Sequence, residues 1–534
     1  MSDRVSKNDA MAPSWRKSFQ QIAEWLGIND EGIDGDVWQL TTDSRQLTAN
    51  AVFIALPGTQ AHGLDFIKGN TTCVAILTSD EATAEIQTKI QMLRAQGQRV
   101  LKVKGLSERL GAFAHWFYNA PSARLAVIGI TGTNGKTSTA FYTAQLLQAS
   151  GMPTAVIGTL GCGFLEGLTP SLNTTPEVVT VHRLLAEFAQ KGAEAVVMEV
   201  SSHAIALGRI EAVQFHTLAL TQVTRDHLDF HGSEANYQAT KKQLFLKYGH
   251  SAKRWVVNIS DAVGQAICEA QKGNTCLKYA AFDKGGDSEA IDLSCEHMQF
   301  LPSGICGSVK FSGVRENCQL HLLGAFNIEN VLCAIGIVSG QTQDTLADFL
   351  PKLARHLKAL QPVAGRMQRI DLQTQEASKL PIVVIDYAHT PDGLTQALSA
   401  FRQHLPNVKL TCVFGCGGDR DRGKRPLMGA IAERLADQIV ITSDNPRCES
   451  PMAIIEEIVQ GLQHPEAAQI IEDRARAIEW AICQAQPGEG VLIAGKGHET
   501  TQQFCKEKIY FSDEAVAKAA LQKRKSHAAD PMAC

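Results

Sequence analysis

An α/β architecture in three domains is what this sequence predicts, and three observations predict it. The apolar run Leu125–Ile130 passes through a glycine-rich turn into Thr137–Leu147, a stretch of good helix formers, which makes a strand, a turn and a helix. Apolar stretches alternate with helical ones around that unit, the pattern of a mainly parallel sheet covered on both faces. At Gln361–Arg366 the texture breaks on Pro362 and Gly365, and a second alternating series begins. The expected domains are residues 1–112, 113–361 and 362–534.

The first domain reads as a small α/β unit, with an amphipathic helix at Gln20–Leu26 and strands at Ala51–Leu56 and Val74–Leu77. It carries Thr42-Asp43-Ser44-Arg45 and, beyond a strand, the loop Pro57–Gly63. Polar loops flanking one strand suit a polar ligand, although Asp-Ser-Arg is also ordinary turn chemistry.

The second domain opens on Thr131-Gly132-Thr133-Asn134-Gly135-Lys136-Thr137. Glycines let backbone N–H groups converge on one anion, the helix N-terminus adds its positive end, Lys136 supplies a cation and the Thr137 hydroxyl a ligand for Mg2+. The strict phosphate-loop pattern places a glycine where Ile130 stands, so the match is imperfect; the bland alternative is a glycine turn with a solvated lysine. Strands follow at Thr154–Ile157, Ala195–Val200, Thr217–Leu220 and Trp255–Ile259. Asn173-Thr174-Thr175, Glu199–His203 and Thr224–Asp229 fall at strand ends, where ligands of such sheets lie. Glu199 closes an apolar run, and a buried carboxylate needs a partner: a Mg2+ shared with Thr137, or the next helix as a cap. His227 by itself reads as a hydrogen-bonded structural residue.

The third domain reads as Rossmann-like. Its strands, Val383–Ile385, Leu410–Phe414, Ile439–Thr442 and Val491–Ala494, each run into a polar loop: Asp386–Pro391, Gly415–Arg422, Ser443–Arg447 and Gly495–Glu499. One such loop is usually a solvated face; several at equivalent strand ends predict a site.

A net charge of −4 offers no general attraction to nucleic acid or anionic membrane, so any anion is held locally. The 14 cysteines are scattered without a C-x-x-C pair, which reads as reduced core cysteine, and no second pair joins Cys412 and Cys416 in a metal set. Without a long apolar run or a signal-like N-terminus, the expectation is a soluble cytoplasmic protein with no membrane insertion, and a disordered tail from Lys523 to Cys534.

In family order, Asp43–Arg45, Thr131–Thr137, Asn173–Thr175, Glu199–His203, Arg225–Asp229, Asn327–Asn330, Asp386–Pro391, Asp444–Arg447 and Gly495–Glu499 resemble the motifs of the Mur ligases. The likeness is strongest to their UDP-N-acetylmuramoyl-tripeptide synthetase branch. It implies an N-terminal domain for a UDP-sugar, a central ATPase and a C-terminal domain that binds an amino acid and closes over the reaction, in a monomer. It also implies ATP and two Mg2+ ions, a D-glutamyl carboxylate turned into an acyl phosphate, and an amine that displaces phosphate. By resemblance Lys136, Glu199, His227 and Lys241 form the catalytic centre, with metal on Thr137, Glu199, His227 and Lys241, the last carbamylated. From sequence alone Lys241 is a helix-surface lysine. Nucleotide contacts are implied for Gly132, Thr133, Asn134, Gly135, Lys136, Thr137, Asn327, Asn330, Arg366, Asp386 and His389. The UDP-sugar peptide would lie on Thr42, Ser44, Thr59, Gln60, Ala61, Asn173, Thr174, Thr175, Ser201 and Arg209, with Leu207 standing where the family carries glutamine. The amino acid would lie on Arg420, Asp444, Asn445, Pro446, Arg447, Gly495 and Glu499. A guanidinium fork matches a carboxylate, so Arg447 favours diaminopimelate over lysine, with Glu499 toward the distal ammonium. Two rivals stay open: a folylpolyglutamate synthetase, disfavoured by the Asp43–His62 segment, and a nucleotide-gated switch or transport ATPase, which would release phosphate without an amine.

Overall fold

The computed structural model describes residues 13–28, 35–58, 61–68, 71–80, 83–271, 275–281, 291–372 and 380–527. Thr59 and Gln60 lie outside the described residues, as does the tail beyond His527. The chain divides into two compact units, Met1–Tyr279 with Cys333–Gln341, and Ala280–Leu332 with Thr342–Cys534.

In the first unit β1 (Lys17–Ser18) pairs with β2 (Asp36–Val37). A parallel sheet follows in the order β3 (Gln39–Thr41), β4 (Ala51–Ala55), β5 (Ala75–Ser79) and β6 (Val100–Val103). β4 and β5 are buried at every residue, as continuous apolar strands covered on both faces must be. One face packs on helices Phe19–Leu26 and Leu106–Phe117 and also on Val178, Val179 and Ala186 of helix Val178–Gln190. This small sheet therefore shares a core with the region that follows it. Buried Tyr118 ties the two, its hydroxyl accepting from the Leu40 N–H at 3.1 Å.

The second sheet of this unit comprises β7 (Ala126–Thr131), β8 (Thr154–Gly158), β9 (Gly161–Phe164), β10 (Ala195–Glu199), β11 (Thr217–Leu220), β12 (Arg254–Asn258) and β13 (Thr275–Ala280). The order is β13-β12-β11-β7-β10-β8-β9, parallel except for the hairpin partner β9. The chain passes from β7 to β8 and β9, returns to set β10 between β7 and β8, and then crosses to β11 on the other side of β7, so a crevice opens at the carboxyl ends of β7, β10 and β11.

The second unit holds an antiparallel meander, β14 (Leu293–Leu301), β15 (Gly304–Phe311) and β16 (Val314–Leu320), which the apolar pattern of the sequence does not announce. Its main sheet runs β17-β18-β22-β19-β20-β21, where β17 is Gln368–Ile370, β18 Ile382–Asp386, β19 Leu410–Phe414, β20 Gln438–Ile441, β21 Gln469–Ile470 and β22 Gly490–Ala494. Only β17 is antiparallel in it. β23 (Thr501–Phe504) and β24 (Glu507–Tyr510) form a hairpin.

The last helix, Asp513–His527, corrects the expected disorder from Lys523. Buried Ala517, Ala520 and Leu521 anchor it, Lys523 pairs with Glu479 at 2.8 Å, and Arg524 donates to the Cys483 carbonyl at 3.0 Å. Among the described residues no helix is long and apolar enough to cross a membrane.

Candidate active site

β7 delivers the glycine loop to the crevice. Gly135 takes φ +84° as the N-cap of helix Lys136–Ala149, and Gly132 takes φ +151° where a Cβ would strike the Thr221 hydroxyl. The loop is pinned to the end of β11: the Thr133 N–H donates to the Gln222 carbonyl at 2.6 Å, and the Thr221 hydroxyl to the Asn134 carbonyl at 2.6 Å. Lys136 curls back, donating to the carbonyls of Gly132 at 3.0 Å and Thr133 at 2.8 Å.

Glu199 ends β10 and is 1% exposed. Its carboxylate accepts from the Thr137 hydroxyl at 2.9 Å, the Thr159 N–H at 2.8 Å and the Thr159 hydroxyl at 3.2 Å. Gly158 leaves the space that carboxylate fills. Ser201, not Glu199, caps the helix Ser202–Ala206, which removes the capping alternative. A buried carboxylate beside two hydroxyls is an all-oxygen donor set suited to Mg2+. Among the described residues no group of three or more His, Cys, Asp or Glu side chains forms a metal cage, so such an ion would complete its shell with phosphate oxygens and water. Thr159 is absent from the sequence-based expectation; its only signal is a polar residue just past an apolar strand.

Lys241 is not on the surface: it is 1% exposed. It occupies the buried stripe Tyr237, Lys241, Leu244, Phe245 and Tyr248 of helix Glu234–Tyr248, a periodicity the sequence carries. Its ammonium nitrogen donates to the Gly132 carbonyl at 2.7 Å and lies 4.8 Å over the Tyr237 ring. Burial, then nearby Lys136, holds its pKa well below the ordinary lysine value, with Asp226 opposing. His227, at φ +50°, sits 3.4 Å from Asp226 and joins an aromatic cluster, its ring 4.8 Å from His203 and 6.2 Å from Tyr237.

Thr174, Thr175, Ser201 and Arg209 gather at the same strand end. The Thr174 hydroxyl is 3.1 Å from that of Thr159; Thr175 donates to the Glu199 carbonyl at 2.7 Å and accepts from the Ser201 N–H at 3.1 Å; Arg209 donates to the Thr175 carbonyl at 3.0 Å. Asn173 is exposed in the preceding turn, and Leu207 is exposed. Thr42, Ser44 and Ala61 lie apart from this group, in the loops that follow adjacent β3 and β4. Asp43 there binds Arg45 through both oxygens at 2.9 and 2.8 Å.

In the second unit the polar loops again follow the strands. Asp386 ends β18 buried, accepting from the Met367 N–H at 2.7 Å, and the Arg366 guanidinium stacks 4.6 Å over Tyr387 with its Nε buried and without a hydrogen bond. His389 contacts the Tyr387 carbonyl through Nδ1 at 2.9 Å. Asn327 and Asn330 stand apart at the start of helix Phe326–Val338, Asn330 donating to Asn327 at 3.1 Å and Asn327 to the Leu323 carbonyl at 2.7 Å.

Burial lifts the Asp386 carboxyl to about 6 from its ordinary 3.8, against Arg366 and two N–H groups. The folded protein then holds a proton in that interval that the unfolded chain lacks. The stabilisation is complete below pH 3.8 and lost as pH rises through 6, about 3 kcal/mol in all. Asp386→Asn is expected to remove this part of the pH dependence, measured as urea unfolding at about pH 5 and about pH 7.

Asp444, Asn445, Arg447, Gly495 and Glu499 come together. Gly495 makes room for the buried Asp444 carboxylate, which burial pushes up while Arg474 and Lys496 hold it down. Asn445 donates to Glu499 at 2.8 Å, and fully buried Lys496 bridges Glu499 at 2.9 Å, Asn445 at 3.1 Å and the Thr501 carbonyl at 2.7 Å. Arg447, at φ +50°, spends Nη1 on the Gly418 carbonyl at 2.6 Å; its Nε and Nη2 make no hydrogen bond among the described residues. Pro446 is buried beside it, and Arg420 is exposed on the neighbouring loop. Lys496, inside the polar loop Gly495–Glu499, organises this region together with Arg474 and Arg425, which carry no signal in the local sequence. Arg474 grips Asp513 at 2.7 and 2.8 Å, and buried Arg425 holds Glu449 at 2.8 Å and Glu457 at 2.7 Å, contacts between elements that no local pattern announces.

Three family models match the chain: Mur ligase family, catalytic domain, over residues 37–118; Mur ligase middle domain, over 130–338; and Mur ligase, glutamate ligase domain, over 365–497. UDP-N-acetylmuramoyl-L-alanyl-D-glutamate--2,6-diaminopimelate ligase of Coxiella burnetii is 40% identical over 507 residues, 94% of this chain and 99% of that protein. This chain belongs to the Mur ligase family. As a Mur ligase it has the three-domain α/β fold of that family and is a ligase. The correspondingly named protein of Xanthomonas campestris is 41% identical over 92% of the chain and 95% of its own length. Among solved structures, one of a UDP-N-acetylmuramoyl-L-alanyl-D-glutamate--2,6-diaminopimelate ligase aligns over 95% of this chain and 99% of its own, at a TM-score of 0.65 and 30% identity.

Proposed function

We propose that this Mur ligase joins meso-diaminopimelate to the D-glutamyl carboxylate of UDP-N-acetylmuramoyl-L-alanyl-D-glutamate at the expense of ATP. The observation that carries the choice of amino acid is Arg447, which spends only Nη1 on a protein carbonyl among the described residues and leaves its Nε and Nη2 fork for a carboxylate. Relatives bearing that name over nearly their full length support the rest.

The carboxylate attacks the γ-phosphorus of ATP to give an acyl phosphate, and the amine then attacks the acyl carbon and expels phosphate. Residues 132–137 cradle the phosphates, with Lys136 exchanging its loop carbonyls for phosphate oxygens. Mg2+ would be held by Glu199 with the Thr137 and Thr159 hydroxyls, neutralising phosphate charge. Lys241 is proposed as the carbamylated ligand of a second ion with His227. The neutral amine is the form that combines with carbon dioxide, burial and Lys136 shift Lys241 toward that form, and both side chains flank Tyr237. Thr174, Thr175, Ser201 and Arg209 are assigned to the muramoyl peptide, Thr42, Ser44 and Ala61 to the uridine nucleotide, and Asn327, Asn330, Arg366, Asp386 and His389 to the ATP nucleotide. The three domains are proposed to meet near residues 112 and 361, in a monomer working in the cytoplasm.

The test supplies the UDP-sugar dipeptide, ATP and Mg2+ with a panel of amino acids and weighs the products. Mass gain with diaminopimelate is expected; phosphate release without any amide product would point instead to a plain ATPase.

A further inference from the structure

Among the described residues, Cys448 and Cys505 are the exposed cysteines; the others are buried or half-buried. Far apart in sequence, they meet across a parallel bridge between Arg447 and Phe504. The Arg447 N–H donates to the Gln503 carbonyl at 3.0 Å and the Cys505 N–H to the Arg447 carbonyl at 2.6 Å, the two bonds that bracket a parallel pair. The residue after each bridged partner is a cysteine, so the side chains take neighbouring register positions, where Cα atoms fall within disulfide range. The neighbouring Cys505 thiol is the first cause raising the Cys448 thiol above its ordinary value.

We propose that Cys448 and Cys505 are a reversible dithiol–disulfide pair, oxidised by low-molecular-weight disulfides, that couples redox state to the Arg447 pocket. One thiolate attacks the small disulfide and expels one small thiolate; the second attacks the mixed disulfide and expels the other. The protein loses two electrons and two protons, and one small disulfide becomes two thiols. Arg447 and Cys505 both hold positive φ, +50° and +42°, a conformation non-glycine residues keep only when their surroundings impose it. Forming a covalent bond between these two register neighbours draws the two loops together at the residue next to Arg447 and turns its guanidinium. This coupling rests on the role proposed for Arg447; the bond itself does not.

The full-length protein is treated with oxidised glutathione and digested with trypsin without reductant. The expected product cross-links peptide Cys448–Arg474 to peptide Gly497–Lys506, is lost on adding dithiothreitol and is absent in Cys448→Ser and Cys505→Ser. In the same oxidised sample KM for diaminopimelate is expected to rise about threefold or more, with KM for ATP unchanged and both serine variants insensitive. Glutathione adducts alone, or a cross-link confined to Cys268 and Cys276, whose sulfurs lie 3.2 Å apart, would overturn the pair. The cross-link with unmoved KM would overturn the coupling, and the cross-link in an enzyme that never takes diaminopimelate would indict the proposed function instead.

Discussion

Lys136→Ala is expected to lower kcat by about a thousandfold while leaving the fold intact. The ammonium is half-buried and bonded to the Gly132 and Thr133 carbonyls, so it already sits at the mouth of the loop, ready to exchange those carbonyls for phosphate oxygens. The charge it neutralises grows as the γ-phosphoryl group leaves ADP, so its loss weighs on kcat more than on ATP binding. Little stability is at stake, because the turn is held independently by Thr221, Gln222 and the two glycines. Single-turnover phosphate release and a thermal melt separate the effects; a kcat within tenfold of wild type, with an unchanged melt, would reject the assignment. The substitution also removes the cation that, after burial, lowers the Lys241 pKa, so that pKa is expected to move up.

Arg447→Ala is expected to erase about a hundredfold of preference for diaminopimelate over lysine, read as the ratio of kcat/KM values. The two amino acids differ by the far-end carboxylate, and in the proposed role the guanidinium would supply the matching fork from Nε and Nη2. Glu499 and Asn445, held by Lys496, remain in the variant and, on the proposed assignment, would keep contact with the part common to both amino acids. Lysine turnover should therefore change little while diaminopimelate turnover falls. Arg447→Lys keeps the charge without the fork and is expected to restore only part of the preference. An unchanged ratio in the alanine variant would remove Arg447 from specificity.

Much of the site is legible in the amino-acid order. Glu199 is recognisable as a carboxylate closing an apolar run, and it ends β10 against the Thr137 hydroxyl. The strand-end loops of the second unit are recognisable the same way, because buried parallel strands write continuous apolar segments and their polar endings stand out. The meander β14–β16 escapes such a reading because it has no continuous apolar run: β14 alternates half-buried and exposed residues from Glu296 on, and β16 opens on Val314-Arg315-Glu316-Asn317. Lys241 escapes it because one lysine among apolar neighbours counts as polar, although it sits on the helix's buried stripe.

The sequence by itself determined the alternation of buried parallel strands with helices, the glycine turn and the residue types at each of those strand ends, since these follow from periodicity and backbone sterics over a few neighbouring positions. Which of those residues touch was decided only by the tertiary structure. Lys496 between Asn445 and Glu499, Arg474 on Asp513 and Thr159 on Glu199 each join separate elements. Such contacts depend on how sheets twist and helices pack, a property of the whole chain that no short window of sequence encodes.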